Sequence, residues 1–319
     1  MILVISDESD ISTDYFMEWC YYLGIKTVRL NRWEAMNATD LITISNDESR
    51  IMFHTAEDIF SLDDIDAVWF RRGYISHYSA LQFDQEARFA FLDRYLRNEN
   101  RTLNDFIIYK LKQKRSLNSQ HHYNTNKLIA LDQAVKAGLF IPDTIVGRSK
   151  EKINAAAGAQ EKLITKSIQD ALVIRHDGYR FTPDVHELGI KDKHFPDRFY
   201  YSKFQHRINK KYELRIFFLG QDYYAAAIFT KNRVNGKGIN HTTNINRVVP
   251  YVLPDDLKDK LSVLNKALAL ECGSIDMIVD ETGRYYFLEV NPVGQYDYLS
   301  KLCNYNLDHK IAYHLNHSL

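Results

Sequence analysis

Three oxygen-bearing residues near the C-terminus have types and spacing that could hold a metal. In "GSIDMIVDETGRYYFLEVNPVGQ", Asp276 precedes the turn "DETG", and Glu289 and Asn291 follow it, among Ile275, Met277, Leu288 and Val290. Successive strand residues point to opposite faces, so Glu289 and Asn291 share one. A hairpin loop with an even number of residues brings Asp276 to the same face. A four-residue loop, Glu281 to Arg284, pairs it directly with Glu289, and a two-residue loop makes the two diagonal neighbours. Carboxylates held this close repel, and their pKa values rise unless a cation neutralises them. The hard oxygens of Asp, Glu and Asn suit Mg²⁺, which completes its shell with water and substrate phosphates. An amphipathic hairpin with one wet face accounts for Asp276 by itself. It accounts poorly for Glu289 and Asn291 being followed at once by Pro292 and Gly294. Spacing leaves both readings open.

The elements that must position these residues can be read along the chain. "MILVIS" is a buried-type strand. "ISTDYFMEWCYYLG" is a helix with Phe16, Trp19, Cys20 and Leu23 on one stripe and Gly24 as its C-cap, and "KTVRLN" is a second strand. This β-α-β opening predicts a parallel sheet. "IDAVWFRRG" is a further strand whose Arg71 and Arg72 face opposite ways, where an α/β sheet opens to ligands. One of them holds a substrate carboxylate, or the pair is structural. Residues from 80 to about 117 are polar, periodic and free of Gly and Pro, hence mostly helical. "SLNSQHHYNTN" reads as a connection, followed by a helix from about Thr125 to Ala137 that Gly138 caps. "KLITKS" is a strand, and "ALVIRHDGYRFT" is a hairpin around Asp177-Gly178. "RFYYSKFQHRI" and "YELRIFFLGQDYYAAAIFTK" are long alternating strands. A helix then carries Leu257, Leu261, Leu264, Leu268 and Cys272 on one face, and the metal hairpin and a final helix from Leu307 close the chain. The expected architecture is an α/β N-terminal lobe followed by an α+β lobe on antiparallel sheet.

Composition bounds the function classes. Lys plus Arg equals Asp plus Glu at 41 each, so no global field draws the chain to nucleic acid. No apolar run nears the roughly 20 residues of a membrane span. The three cysteines, Cys20, Cys272 and Cys303, are scattered and odd in number, which predicts a reduced, cytoplasmic protein.

"YELRIFFLG" followed by "IDMIVDETGRYYFLEVNPVGQ" resembles the C-terminal half of the ATP-grasp ligases. The resemblance runs from about Asn124 to Leu315 and, more loosely, over the N-terminal lobe. The tail "NPVGQYDYLSKLCNYNL" is similar to peptide maturases of the graspetide synthetase, grasp-with-spasm group. The resemblance implies an ATP-grasp fold in three parts: an N-terminal α/β (pre-ATP-grasp) domain over 1–118, a central domain over 119–204 and a C-terminal antiparallel-sheet domain over 205–319. It implies ATP and Mg²⁺ as cofactors and a homodimer. By position, Asp276, Glu289 and Asn291 match the metal ligands, and Lys127 and Lys166 the nucleotide lysines. Gln205 and the backbone near His206 match the adenine hinge, and Glu213 the ribose contact. Arg215 and Arg247 match arginines near the transferring phosphoryl group. Phosphoryl transfer needs positioning and positive charge more than covalent help, which two lysines, two arginines and a bound Mg²⁺ supply. Each residue also has a plain reading. Lys127 is a first-turn surface residue, and Glu213 with Arg215 is a surface strand pair. Lys166 fits that reading less well, because a bare lysine in an apolar strand is costly.

The implied reaction activates Asp or Glu side chains of a ribosomal precursor peptide, leader plus core, as acyl phosphates. Thr or Ser hydroxyls or Lys amines of the same peptide then close macrocyclic esters or amides. Two rivals stay open: a ligase that adds amino acids to a peptide or protein terminus, and a non-catalytic nucleotide-dependent module that binds a peptide. Many ATP-grasp ligases follow the second lysine with a glycine-rich loop. "SIQDALVIRHDG" has no such run. The hairpin from Leu172 to Thr182, with Arg175, His176, Tyr179 and Arg180, offers a basic face to a leader.

Overall fold

The computed structural model describes residues 1–32, 39–55, 57–75, 87–119, 125–158, 162–169, 174–176, 179–181, 186–189, 195–230 and 245–317. In chain order the elements begin with β1 (Ile2–Ser6), α1 (Ile11–Tyr22), β2 (Thr27–Asn31), β3 (Thr39–Ile44), β4 (Ser49–His54), β5 (Ile59–Ser61), β6 (Ala67–Phe70), α2 (Ala87–Leu111) and β7 (Arg115–Leu117). They continue with α3 (Lys127–Lys136), β8 (Thr144–Ser149), α4 (Lys150–Ala157), β9 (Lys162–Lys166), β10 (Ile174–His176), β11 (Tyr179–Phe181), β12 (His186–Gly189) and β13 (Arg198–His206). The last are β14 (Lys210–Leu219), β15 (Asp222–Thr230), β16 (Ile245–Tyr251), α5 (Asp255–Ala267), β17 (Cys272–Asp280), β18 (Tyr285–Asn291), α6 (Asp297–Leu302) and α7 (Leu307–His317). These fall into two compact units. One comprises Met1–Asn124, Leu270–Cys272 and Pro292–Leu319, and the other Thr125–Ala269 and Gly273–Asn291.

In the first unit β2, β1, β6 and β7 form a parallel sheet in that order, as the β-α-β opening predicts. All of β1 is buried, as befits an inner strand of a parallel sheet. α1 buries Phe16 and Cys20, and the Phe16 ring lies 4.7 Å from that of Trp69. Leu23 is exposed and forms the C-cap rather than extending the stripe, and Gly24 follows at φ +68°. α2 ends at Leu111, short of residue 117. Two tightened bonds, Gln113 N–H to the Lys110 carbonyl and Lys114 N–H to the Leu111 carbonyl, close it. Arg115–Leu117 then joins β6 as an edge strand. A strand that short has no periodicity to read, and its partner is remote in sequence. The antiparallel sheet β3-β4-β5 was likewise not expected.

Of the two readings of Arg71 and Arg72, the structural one is observed. Arg71 is buried. Its Nε donates to Asp10 Oδ2 at 3.0 Å, Nη1 to the Gly294 carbonyl at 3.0 Å and Nη2 to Ser12 Oγ at 3.2 Å. Arg72 shares Asp10, 3.4 Å from its Oδ1, and reaches the Val293 carbonyl at 3.5 Å. A buried guanidinium requires this many acceptors.

The second unit carries two antiparallel-type layers. β12-β9-β13-β8 is one sheet, on which α4 buries Ile153 and Ala157 against Leu163 and Phe204. β16-β15-β14-β17-β18 is the other. α5 buries Leu257, Leu261 and Leu264, but its stripe stops there: Leu268 is the C-cap, Ala269 turns at φ +53° and Cys272 opens β17. β10 and β11 form the expected hairpin, with His176 opposite Tyr179. Its turn at Asp177-Gly178 and the side chains of Arg175, His176, Tyr179 and Arg180 lie outside the described residues.

Asn118, in the first unit, holds residues at the two ends of the β17–β18 hairpin. Its Nδ2 donates to the carbonyls of Cys272 at 2.8 Å and Pro292 at 3.3 Å. Its Oδ1 accepts from the N–H groups of Glu271 at 3.0 Å and Cys272 at 3.1 Å. Asn118 does this at φ +60°, a conformation that Asn tolerates better than most residues. Stranding buried backbone groups costs about 1–3 kcal/mol apiece. Asn118→Gly, which accepts the backbone conformation, should therefore lose stability, and Asn118→Ala should lose about 1 kcal/mol more from left-handed strain. Denaturant unfolding of both variants checks the order.

Candidate active site

The hairpin of β17 and β18 places Asp276 directly opposite Glu289 and Ser274 opposite Asn291. The two carboxylates and the amide thus share a face, as predicted, but by a different route. Asp280 N–H donates to the Arg284 carbonyl and Gly283 N–H to the Asp280 carbonyl, closing a three-residue loop, Glu281 to Gly283. An odd loop by itself turns Glu289 to the other face. A bulge corrects this: Met277 pairs with Phe287 while Asp276 pairs with Glu289, so Leu288 is the extra residue. Gly283 at φ +88° makes the turn, and Asp280 Oδ1 accepts from the N–H groups of Thr282 and Arg284, each at 2.9 Å.

Each carboxylate meets a cation. Arg215 Nη1 lies 2.7 Å from Asp276 Oδ1, and Lys127 Nζ 3.0 Å from Glu289 Oε2. Arg215 sits on β14, next to β17 in the sheet. Lys127 opens α3, which packs on β18. The N-cap Asn126 accepts from the N–H groups of Leu128 at 3.0 Å and Ile129 at 3.2 Å, fixing the turn that carries the lysine. Burial pushes the Glu289 carboxyl up, but the charges of Lys166, Lys127 and Lys203 outweigh it and hold the group below the usual carboxylate range. Glu213 shares the Arg215 face of β14 by alternation and is engaged by Lys210.

Gln205 is buried, and its Nε2 donates to Thr144 Oγ1 at 2.9 Å. His206 N–H donates to the Asp143 carbonyl, and its Nδ1 pairs with Asp143 Oδ2 at 3.0 Å. Its Nε2 is buried without a partner among the described residues. Arg247 is not brought to this group. It is exposed on the edge strand β16, opposite Phe229, whereas Arg215 is opposite Ala226. Ala226 and Phe229 are an odd number of residues apart, so the register puts Arg247 on the other face of the sheet.

Lys203 escapes the sequence reading. It lies on β13 directly opposite Lys166 and is 2% exposed, on the same face as Gln205. The argument that flags Lys166, a bare lysine in an apolar strand, applies equally to Lys203 in "RFYYSKFQHRI". The site thus gathers Lys127, Lys166 and Lys203 around Glu289, a surplus of positive charge. Among the described residues no three His, Cys, Asp or Glu side chains gather into a metal site. Two carboxylates and an amide do not make a protein-only cage. They fit a Mg²⁺ that takes its other ligands from water and phosphate oxygens.

Burial, then the charges of Lys166 and Lys127, push the Lys203 ammonium down from 10.5 to about 8. Between these values the unfolded chain binds more protons, so stability rises with pH from about 8 upward, and the charged form weakens the ligand-free fold below that. Lys203→Met should stabilise the ligand-free protein at pH 7 by on the order of 3 kcal/mol. It should also remove the rise above pH 8. Chemical denaturation at a series of pH values reads both effects.

No protein-family model matches the chain, and no curated protein matches its sequence. Solved structures do match its fold. A RiPP-associated ATP-grasp ligase from Chryseobacterium gregarium, in complex with ADP and a leader and core peptide, has a TM-score of 0.81 at 23% identity, covering 100% of this chain and 97% of that one. Macrocyclase MdnC from Microcystis aeruginosa, bound with precursor peptide MdnA, has a TM-score of 0.76 at 23% identity, covering 100% of both chains. ATP-grasp ligase PsnB, complexed with minimal precursor, Mg and ADP, has a TM-score of 0.72 at 16% identity, covering 98% of this chain and 96% of that one. The fold of this chain is that of the ATP-grasp ligases.

Proposed function

We propose that the chain is an ATP- and Mg²⁺-dependent ligase that cross-links side chains within a ribosomally made precursor peptide. The observation that carries this reading is the Asp276–Glu289–Asn291 face with a surplus of lysine gathered beside it. Support also comes from the similar structures, which are peptide-bound ligases and macrocyclases.

ATP would supply the phosphoryl group that makes an Asp or Glu side chain of the peptide electrophilic, leaving ADP, and Mg²⁺ would supply charge stabilisation for the phosphates. The residues of this chain bind and orient. Asp276, Glu289 and Asn291 would hold the metal. Lys127 and Lys166 hold phosphate oxygens as point charges, while Arg215, beside Asp276, offers its fork of donors to the oxygens of the transferring group. The backbone at Gln205 and His206, anchored to Asp143 and Thr144, meets the adenine, and Glu213 meets the ribose. A Thr or Ser hydroxyl or a Lys amine of the peptide then attacks the activated carbonyl. Phosphate leaves, and a macrocyclic ester or amide forms. A cytoplasmic homodimer with the leader on the β10–β11 hairpin belongs to the same reading.

Glu289→Gln keeps the side chain's size and removes its charge. On mixing with Mg-ATP and a precursor peptide rich in Thr and in Asp or Glu, the variant should release ADP at least about 100-fold more slowly than wild type. Its circular dichroism should be unchanged. Full activity would overturn the metal assignment. Mass spectrometry of the wild-type product should show one water lost per ring, whereas a gain in mass would mark amino-acid addition to a terminus.

A further inference from the structure

The most deeply buried cation of the site has none of the roles assigned above. Lys203 faces Lys166 across the β9–β13 ladder. Like charges directly opposite one another destabilise a sheet, and an ammonium removed from water needs acceptors. The one hydrogen bond of Lys203 Nζ among the described residues is long, 3.4 Å to the Ile168 carbonyl. Lys127 and Lys166 add positive charge around it, and the opposing charge is that of Glu289, already paired with Lys127 at 3.0 Å. Strand alternation puts Lys203 on the face of Gln205, two residues along, and beside Lys166. A lysine kept in this place weakens the fold unless a ligand supplies the missing negative charge.

We propose that Lys203 is a third lysine contact to the phosphate chain of the nucleotide, lying between the Gln205–His206 segment and Lys166. The inference rests on the nucleotide reading given above. It commits Lys203 to the phosphates and not to the base, because the described residues around it carry more positive than negative charge. An adenine would leave the cluster uncompensated.

Calorimetric titration separates the possibilities, with ATP, inorganic triphosphate and adenosine as probes. Lys203→Met should lose about 10- to 100-fold in affinity for both ATP and triphosphate, the scale of a hydrogen bond to a charged group. Its affinity for adenosine should be unchanged, which also shows that the variant is folded. Binding of ATP at pH 8, read as a heat that depends on the buffer, should take up more protons in the wild type than in Lys203→Met, because the anion restores the ammonium of Lys203. Equal affinity of variant and wild type for triphosphate, or an equal loss for adenosine, would overturn the role of Lys203 while leaving nucleotide binding intact. Wild-type protein that binds neither ATP nor triphosphate would overturn the nucleotide reading itself, and this inference with it.

Discussion

The site depends on one cross-strand pair of like charges, Asp276 against Glu289. Two carboxylates in direct register repel, and the hairpin holds them there by an odd loop that the bulge at Leu288 compensates. Without the bulge Glu289 would turn to the opposite face and the pair would not exist. The surrounding residues answer that pair. Arg215 reaches Asp276 from the neighbouring strand, and Lys127 reaches Glu289 from the first turn of α3.

The balance does not end at neutrality. Lys166 and Lys203 add positive charge that Glu289, already paired with Lys127, does not neutralise, and Lys203 is buried while doing so. In the proposed reaction this surplus is useful, because a phosphate chain and its metal bring opposite charge to the same face. In the free protein it is a burden on stability. A site preorganised for charge that arrives later is strained until the ligand binds, and the mismatch here is concentrated in one ammonium group.

Elsewhere the chain spends buried polar side chains on holding backbone in place. Asn118 satisfies backbone groups of Glu271, Cys272 and Pro292, and Arg71 and Arg72 grip the carbonyls of Gly294 and Val293. Glu271 and Cys272 stand at the start of β17, and Pro292 to Gly294 follow β18, so the segments entering and leaving this hairpin are tied down by side chains from far upstream. Arg71 thus has a mechanical role at a position where a ligand contact was one of two readings.

Local patterns in the sequence determined much of this. Period-2 alternation in "FLEVN" was enough to pair Glu289 with Asn291 on a face, the β-α-β opening was enough for a parallel sheet, and the apolar stripe of α5 was visible as far as Leu264. Those features are set by neighbours a few residues away. Register, sign and company were decided only by the tertiary structure. The bulge at Leu288 carries no composition of its own, and β7 is too short for any period. Arg247 was named for its place in a motif, and ladder register turned it to the other face. Lys203 carries the same sequence signal as Lys166, a lysine within a strand, but only the pairing of β9 with β13 sets the two ammonium groups opposite each other. A single strand does not reveal which of its faces is buried or what charge lies across the ladder, because both are properties of its partners.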